Sequence, residues 1–168
     1  MISGKKFILA AVLPLLILFI LPMKPIAISH FGDSVVLQAS SRNPKDVFRG
    51  EYIDLSFSIA SLSPELFNSA KVSRGSIWYV AIFPDESGLW SASGAYSTPP
   101  EGVYLTATVE RVSQASVTVD YGKGLERLYV KEGTGKDFKA AGGLRVNAKV
   151  WDGEAVAVSV EAIKSEAK

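Results

Sequence analysis

Two hydrophobic patterns divide the chain. From Phe7 to Met23 it reads FILAAVLPLLILFILPM, 17 residues with no charge and no alternation. From Ser34 onward apolar and polar residues alternate in short runs, the period of a strand with one face in a core and the other in water. The runs are SVVLQAS (34–40), YIDLSFSIA (52–60), SIWYVAIF (76–83), GVYLTATVERV (102–112), ASVTVDY (115–121), LERLYVK (125–131), LRVNAKVW (144–151) and AVAVSVEAI (155–163). They are rich in β-branched and aromatic residues, which suit a pleated, half-buried surface.

The segments between them carry turn chemistry. PDESG (84–88), SQ (113–114) and DGE (152–154) are short enough to join antiparallel neighbours. Asp152-Gly153 is the sharpest signal, because both residue types accept the positive φ angles of a type I′ hairpin turn. Helix signals are few: Ser63 stands as a cap before Pro64 in PELFNSA (64–70), and KDFKAA (136–141) is stopped by Gly142 and Gly143. TPPEG (98–102) reads as a stiff surface loop. The pattern predicts an all-β domain, an antiparallel barrel or two-sheet sandwich with minor short helices.

The uncharged stretch predicts one N-terminal transmembrane helix ahead of that domain. Seventeen residues at 1.5 Å each give about 25 Å, near the lower limit for a hydrocarbon core of about 30 Å, and Ile26–Ile28 can extend it. Lys5, Lys6 and the α-amino group precede it and only Lys24 follows closely, which favours the amino end in the cytoplasm. The expected division is therefore a cytoplasmic tip and anchor at 1–28 and an extracytoplasmic β-domain at 29–168, periplasmic in a cell with two membranes. A cleaved signal peptide is the competing reading, since AIS (27–29) loosely fits a small-x-small cleavage site. The length of the run, with Pro14 and Pro22 inside it, favours an uncleaved anchor.

Composition narrows the function classes. The 168 residues suffice for one domain with its own core. The 18 basic and 17 acidic residues are interspersed, leaving a net charge of +1 and no electrostatic footprint for nucleic acid. Absence of cysteine removes disulfides, thiolate catalysis and thiol-ligated zinc, and His30, the sole histidine, cannot build a polyhistidine metal site. No cofactor is expected.

One strand entry is unusual. RGEYIDLSF (49–57) opens on a bend residue and a carboxylate, and with its lead-in PKDVF it resembles the GDYXXLXY family of membrane-anchored bacterial proteins. Gly50, Tyr52 and Leu55 match the motif, while Glu51 replaces its aspartate and Phe57 its last tyrosine. A second block, GLERLYVKEGTGKDF (124–138), with Tyr129, Glu132 and Gly133, resembles the family's aromatic, Glu-Gly-rich strand and loop, and VWDGEAVAV (150–158) its C-terminal end. The resemblance implies a single anchor, a small extracytoplasmic domain and association with a multi-span membrane protein. It carries over no catalytic residue. The family-motif and possible partner-binding positions are Gly50, Glu51, Tyr52, Leu55, Phe57, Tyr129, Glu132 and Gly133.

A purely structural role for the motif is also expected. Gly50 permits a close approach, Glu51 accepts hydrogen bonds from loop amides, and Ile53, Leu55 and Phe57 face the core while Tyr52, Asp54 and Ser56 face out. The functional reading adds Glu51 and Tyr52 as an exposed corner recognised by a partner. Three functions follow in order: a non-enzymatic accessory or interaction domain, a cell-envelope domain binding a glycan or peptide on Trp78, Tyr79, Trp90 and Tyr96, although Trp78 within a strand is more often a core residue, and an anchored serine-lysine hydrolase. The last rests on SRNP (41–44), with Ser40 or Ser41 as nucleophile and Lys71 or Lys131 as base, but Arg42 stands where such enzymes place methionine. Asp85 and Glu86 are adjacent carboxylates explained by turn chemistry, His30 is an interfacial residue, and YGKGLER (121–127) and EGTGKD (132–137) lack phosphate-loop spacing.

Overall fold

The structure, a computed structural model, describes residues 12, 18, 23–42, 52–68, 71–129 and 143–163. Helix α1 (Met23–Phe31) leads into β1 (Asp33–Arg42), followed by β2 (Tyr52–Phe57), β3 (Ser61–Leu62), β4 (Ile77–Pro84), β5 (Trp90–Tyr96), β6 (Tyr104–Val112) and β7 (Val117–Asp120). A one-turn helix α2 (Lys123–Glu126) precedes β8 (Arg127–Tyr129), and the β9 (Leu144–Trp151)–β10 (Glu154–Ala162) hairpin closes the described chain. Short 3₁₀ turns at Ser58–Ala60 and Pro64–Phe67 flank β3.

Two antiparallel groups make up the sheet. One runs β8-β2-β1-β9-β10 and the other β5-β4-β6-β7-β3. They are joined where β1 meets β5 in parallel at Leu37 and Trp90, and again at a parallel bridge between Leu105 and Gly153. Among the described residues the ladder has free ends and does not close, so the barrel alternative is not what the hydrogen bonds form; the two parallel contacts depart from meandering antiparallel pairing.

Alternation along the strands produces one core. Val35, Leu37 and Ala39 of β1, Leu144, Val146, Ala148 and Val150 of β9, and Val80, Ile82, Leu105, Val109, Val117 and Val119 of the other group are buried together. Phe67, from the second 3₁₀ turn, packs edge-on against Trp78 with ring centroids 5.0 Å apart. That turn begins after Ser63 as expected, but no side-chain hydrogen bond caps it. The backbone alone closes it, through Leu66 N–H to the Ser63 carbonyl.

All eight expected strands have counterparts. The run at 52–60 divides into β2 and a 3₁₀ turn, and β3 and β5 are additional. The sequence WSASGAY of β5 hides its strand because small residues give no hydrophobic alternation. Asp152 and Gly153 have φ of 50° and 76°, the turn expected at DGE. Of the Phe7–Met23 run only Val12, Leu18 and Met23 are described, all helical, and among the described residues no helix is long and apolar enough to cross a membrane. KDFKAA (136–141) lies outside the described residues.

Candidate functional site

The two sequence blocks that carry the resemblance, more than 60 positions apart in the chain, meet on neighbouring strands. In the antiparallel β2–β8 pair Tyr52 stands opposite Tyr129, Ile53 opposite Leu128 and Asp54 opposite Arg127. On its other side β2 pairs with the end of β1, Arg42 opposite Asp54 and Ser41 opposite Leu55. The end of β1, the start of β2, the end of β8 and the start of β9 therefore lie at one end of the molecule. Segments 43–51 and 130–142 both connect there. Gly50, Glu51, Glu132, Gly133 and Lys131 fall within those segments, outside the described residues.

Within β2 the apolar half of the motif is structural. Leu55 and Phe57 are buried, while Asp54 and Ser56 are half-buried on the opposite face. Leu55 and Phe57 also form one wall of a groove of about 430 Å³, whose other wall includes Glu110, Asp120, Tyr121 and Leu125. Tyr121 spans from β7 to the turn after β2 and donates its hydroxyl to the Ile59 carbonyl at 2.7 Å. Burial holds its phenol protonated far above the usual tyrosine range. Sequence reasoning missed Tyr121 as a fastener, because its partner is a backbone carbonyl 62 positions away.

The hydrolase candidates do not assemble among the described residues. Ser40 donates to the Ser56 carbonyl at 3.4 Å, and the Ser41 hydroxyl is shielded with no hydrogen-bond partner. No described lysine bonds either hydroxyl, and Lys71 is exposed. Asp85 is a turn organiser: its Oδ1 accepts from the Ser87 hydroxyl at 2.6 Å, from Ser87 N–H at 2.8 Å and from Leu89 N–H at 3.0 Å. The Ser87 hydroxyl is the main reason its carboxyl titrates below the usual range. Among the described residues no cluster of three potential metal ligands occurs.

The expected aromatic platform is divided by the sheet. Trp78 lies in the core and Trp90 packs against it, whereas Tyr79 stands opposite Tyr96 across β4 and β5. Tyr79 instead contacts Tyr104 edge-on, ring centroids 5.8 Å apart. Tyr104 donates to Asp152 Oδ1 at 2.9 Å, and that hydrogen bond is the main cause raising its pKa. Cross-strand register decides this grouping, and no spacing within one strand announces it.

The fold and its converging end thus define a small, mostly antiparallel β-domain in which two sequence blocks share one strand pair. The chain matches the GDYXXLXY protein family over residues 14–160 and belongs to it. Neither a curated protein nor a solved structure matches the chain.

Proposed function

We propose that this protein is a membrane-anchored, extracytoplasmic accessory domain that binds a multi-span membrane protein through the end bearing Tyr52 and Tyr129. The observation that supports this reading is the β2–β8 register, which gathers both family blocks at one end. Motif residues that served only the core would not need a second block and two connecting segments at the same place. The residues preceding α1 supply the anchor: an uncharged run between lysines, with the amino end in the cytoplasm. On this reading the two antiparallel groups are the faces of a two-sheet sandwich.

The test is co-purification of the tagged full-length chain from its own cells in mild detergent, beside a Tyr52→Ala variant first shown to fold. A stoichiometric multi-span protein retained by the original chain and lost by the variant is the expected result. Retention of no partner by either chain would sink the reading. A second reading, a cell-envelope ligand-binding domain, draws on the groove between Leu55, Phe57 and Tyr121. A glycan or peptide that raises the melting temperature of the full chain would favour it.

A further inference from the structure

Helix α1 has an inverted surface. Of its nine residues only Ile28 is buried. Met23, Ile26 and Phe31 are 63%, 54% and 79% exposed. A helix lying on a domain in water keeps its polar residues on the outside. Here Met23, Pro25, Ile26 and Phe31 lie outside beside Lys24 and His30, so most of the exposed positions are apolar, and the sequence that runs into the helix is the uncharged Phe7–Met23 stretch.

The surface continues onto the β9–β10 hairpin. Trp151, last residue of β9, is 49% exposed and lies against Phe31 with ring centroids 6.5 Å apart. The helix is held to this hairpin near both ends. Lys24 Nζ pairs with Glu154 Oε1 at 2.5 Å and Lys149 Nζ donates to the Gly32 carbonyl at 3.0 Å, while Gly32 N–H closes the helix's own last turn onto the Ile28 carbonyl at 2.9 Å. A Cβ on Gly32 would lie 2.5 Å from the Ile28 oxygen and 2.9 Å from that of Val150, so helix and strand touch backbone to backbone. Helix α1 and the hairpin are therefore held together.

We propose that the α1 and β9–β10 end of the domain rests on the phospholipid bilayer, with Phe31 and Trp151 in the headgroup layer. The placement rests on the anchor reading given above. If the apolar run ends at Ile28, Phe31 lies three residues on, about 4.5 Å along the helix. The headgroup layer is about 5–7 Å thick on each side of the hydrocarbon. Trp151 is thereby held at the depth where tryptophan is enriched in membrane proteins. Lipid is the occupant favoured over a second copy because the exposed apolar side chains are continuous with the sequence that enters the membrane.

The chain has no cysteine, so single labels can be introduced cleanly. Full-length Trp151→Cys, Phe31→Cys and Glu161→Cys chains are each labelled with a polarity-sensitive fluorophore. They are then reconstituted into phosphatidylcholine–phosphatidylglycerol vesicles with and without nitroxide-headgroup lipid. Glu161 pairs with Arg145, at the far end of the same hairpin. Expected is quenching several-fold greater at positions 151 and 31 than at 161. If the chain floats with the vesicles but 151 and 31 quench no more than 161, the placement is wrong while the anchor stands. A blue-shifted but unquenched label at 151 would mean that protein, not lipid, covers this end, and also overturns it. A chain that does not float refutes the anchor reading and the placement with it. Phe31→Cys, the more exposed site, serves if Trp151→Cys fails to fold.

Discussion

Replacing Gly153 by alanine separates two kinds of backbone constraint. Gly153 has φ of 76°, and a Cβ there would lie 2.4 Å from Thr106 Oγ1 and 2.7 Å from Tyr104 Cε2. Its carbonyl also accepts Thr106 N–H at 2.7 Å, the bridge between the two strand groups. The left-handed conformation costs a residue with a side chain about 1–2 kcal/mol, and forcing extra volume into a filled site costs about 1–3 kcal/mol. Gly153→Ala should therefore lose about 2–5 kcal/mol. Two companions isolate the contributions. Gly102 has φ of 87° and nothing within 4 Å of a built Cβ, so Gly102→Ala should lose only the dihedral part, about 1–2 kcal/mol. Gly32 meets backbone oxygens at 2.5 and 2.9 Å with no positive φ, so Gly32→Ala should lose only the collision part, about 1–3 kcal/mol. Urea unfolding of the full chain in detergent micelles, followed by tryptophan fluorescence, measures all three. If Gly153→Ala is no worse than Gly102→Ala, the contact between the hairpin turn and β6 does not constrain the fold as argued.

Phe67→Ala should be the more damaging core change, losing about 3–5 kcal/mol because Phe67 is fully buried against Trp78, as read from the same urea midpoints. Tyr121→Phe leaves the Ile59 carbonyl without its donor and should lose about 1–3 kcal/mol. Its pH signature is specific. Burial raises the folded-state pKa of Tyr121 above the ordinary 10.0, so the folded state keeps a proton that the unfolded state releases; stability is full below that value and falls as pH rises above it. Melting temperatures taken from neutral pH to beyond the ordinary value should show that decline in the original chain and a shallower one in Tyr121→Phe, with Tyr104 contributing in the same direction through its bond to Asp152. A photo-crosslinking residue at Tyr52 should capture an extracytoplasmic segment of the partner, identified by mass spectrometry, whereas one at Leu18 should capture a membrane-spanning segment.

Legibility in the sequence followed the range of the interaction. The strand at 144–151 and the Asp152-Gly153 turn could be read because period-two alternation and positive φ are local properties. β5 could not, since Ser, Ala and Gly alternate without a hydrophobic signal and the strand is fixed by β4 beside it. Family resemblance marked Tyr52 and Tyr129 separately, but their meeting across β2 and β8 depends on a register that no single segment encodes. Trp78 and Tyr79 are neighbours in one strand, and the pleat that turns Trp78 into the core turns Tyr79 away.

The two ends of β1 set a geometric condition on any partner. Asp33 pairs with Val150 beside the helix α1, and Arg42 pairs with Asp54 at the motif end. Nine residue steps at about 3.3 Å place the motif end up to about 30 Å from the anchor end. With the α1 and hairpin end on the bilayer, the strands that carry Tyr52 and Tyr129 stand well clear of the headgroups. A partner confined to the hydrocarbon layer could touch the anchor but not that strand pair. The proposed recognition therefore needs a multi-span protein with an extracytoplasmic segment tall enough to reach the motif end. On that placement the contacts of Lys24 with Glu154 and of Lys149 with Gly32 would set the height and tilt at which the motif is presented. Loosening those contacts, as in Gly32→Ala, should weaken partner retention even though Gly32 lies at the opposite end of β1 from the motif.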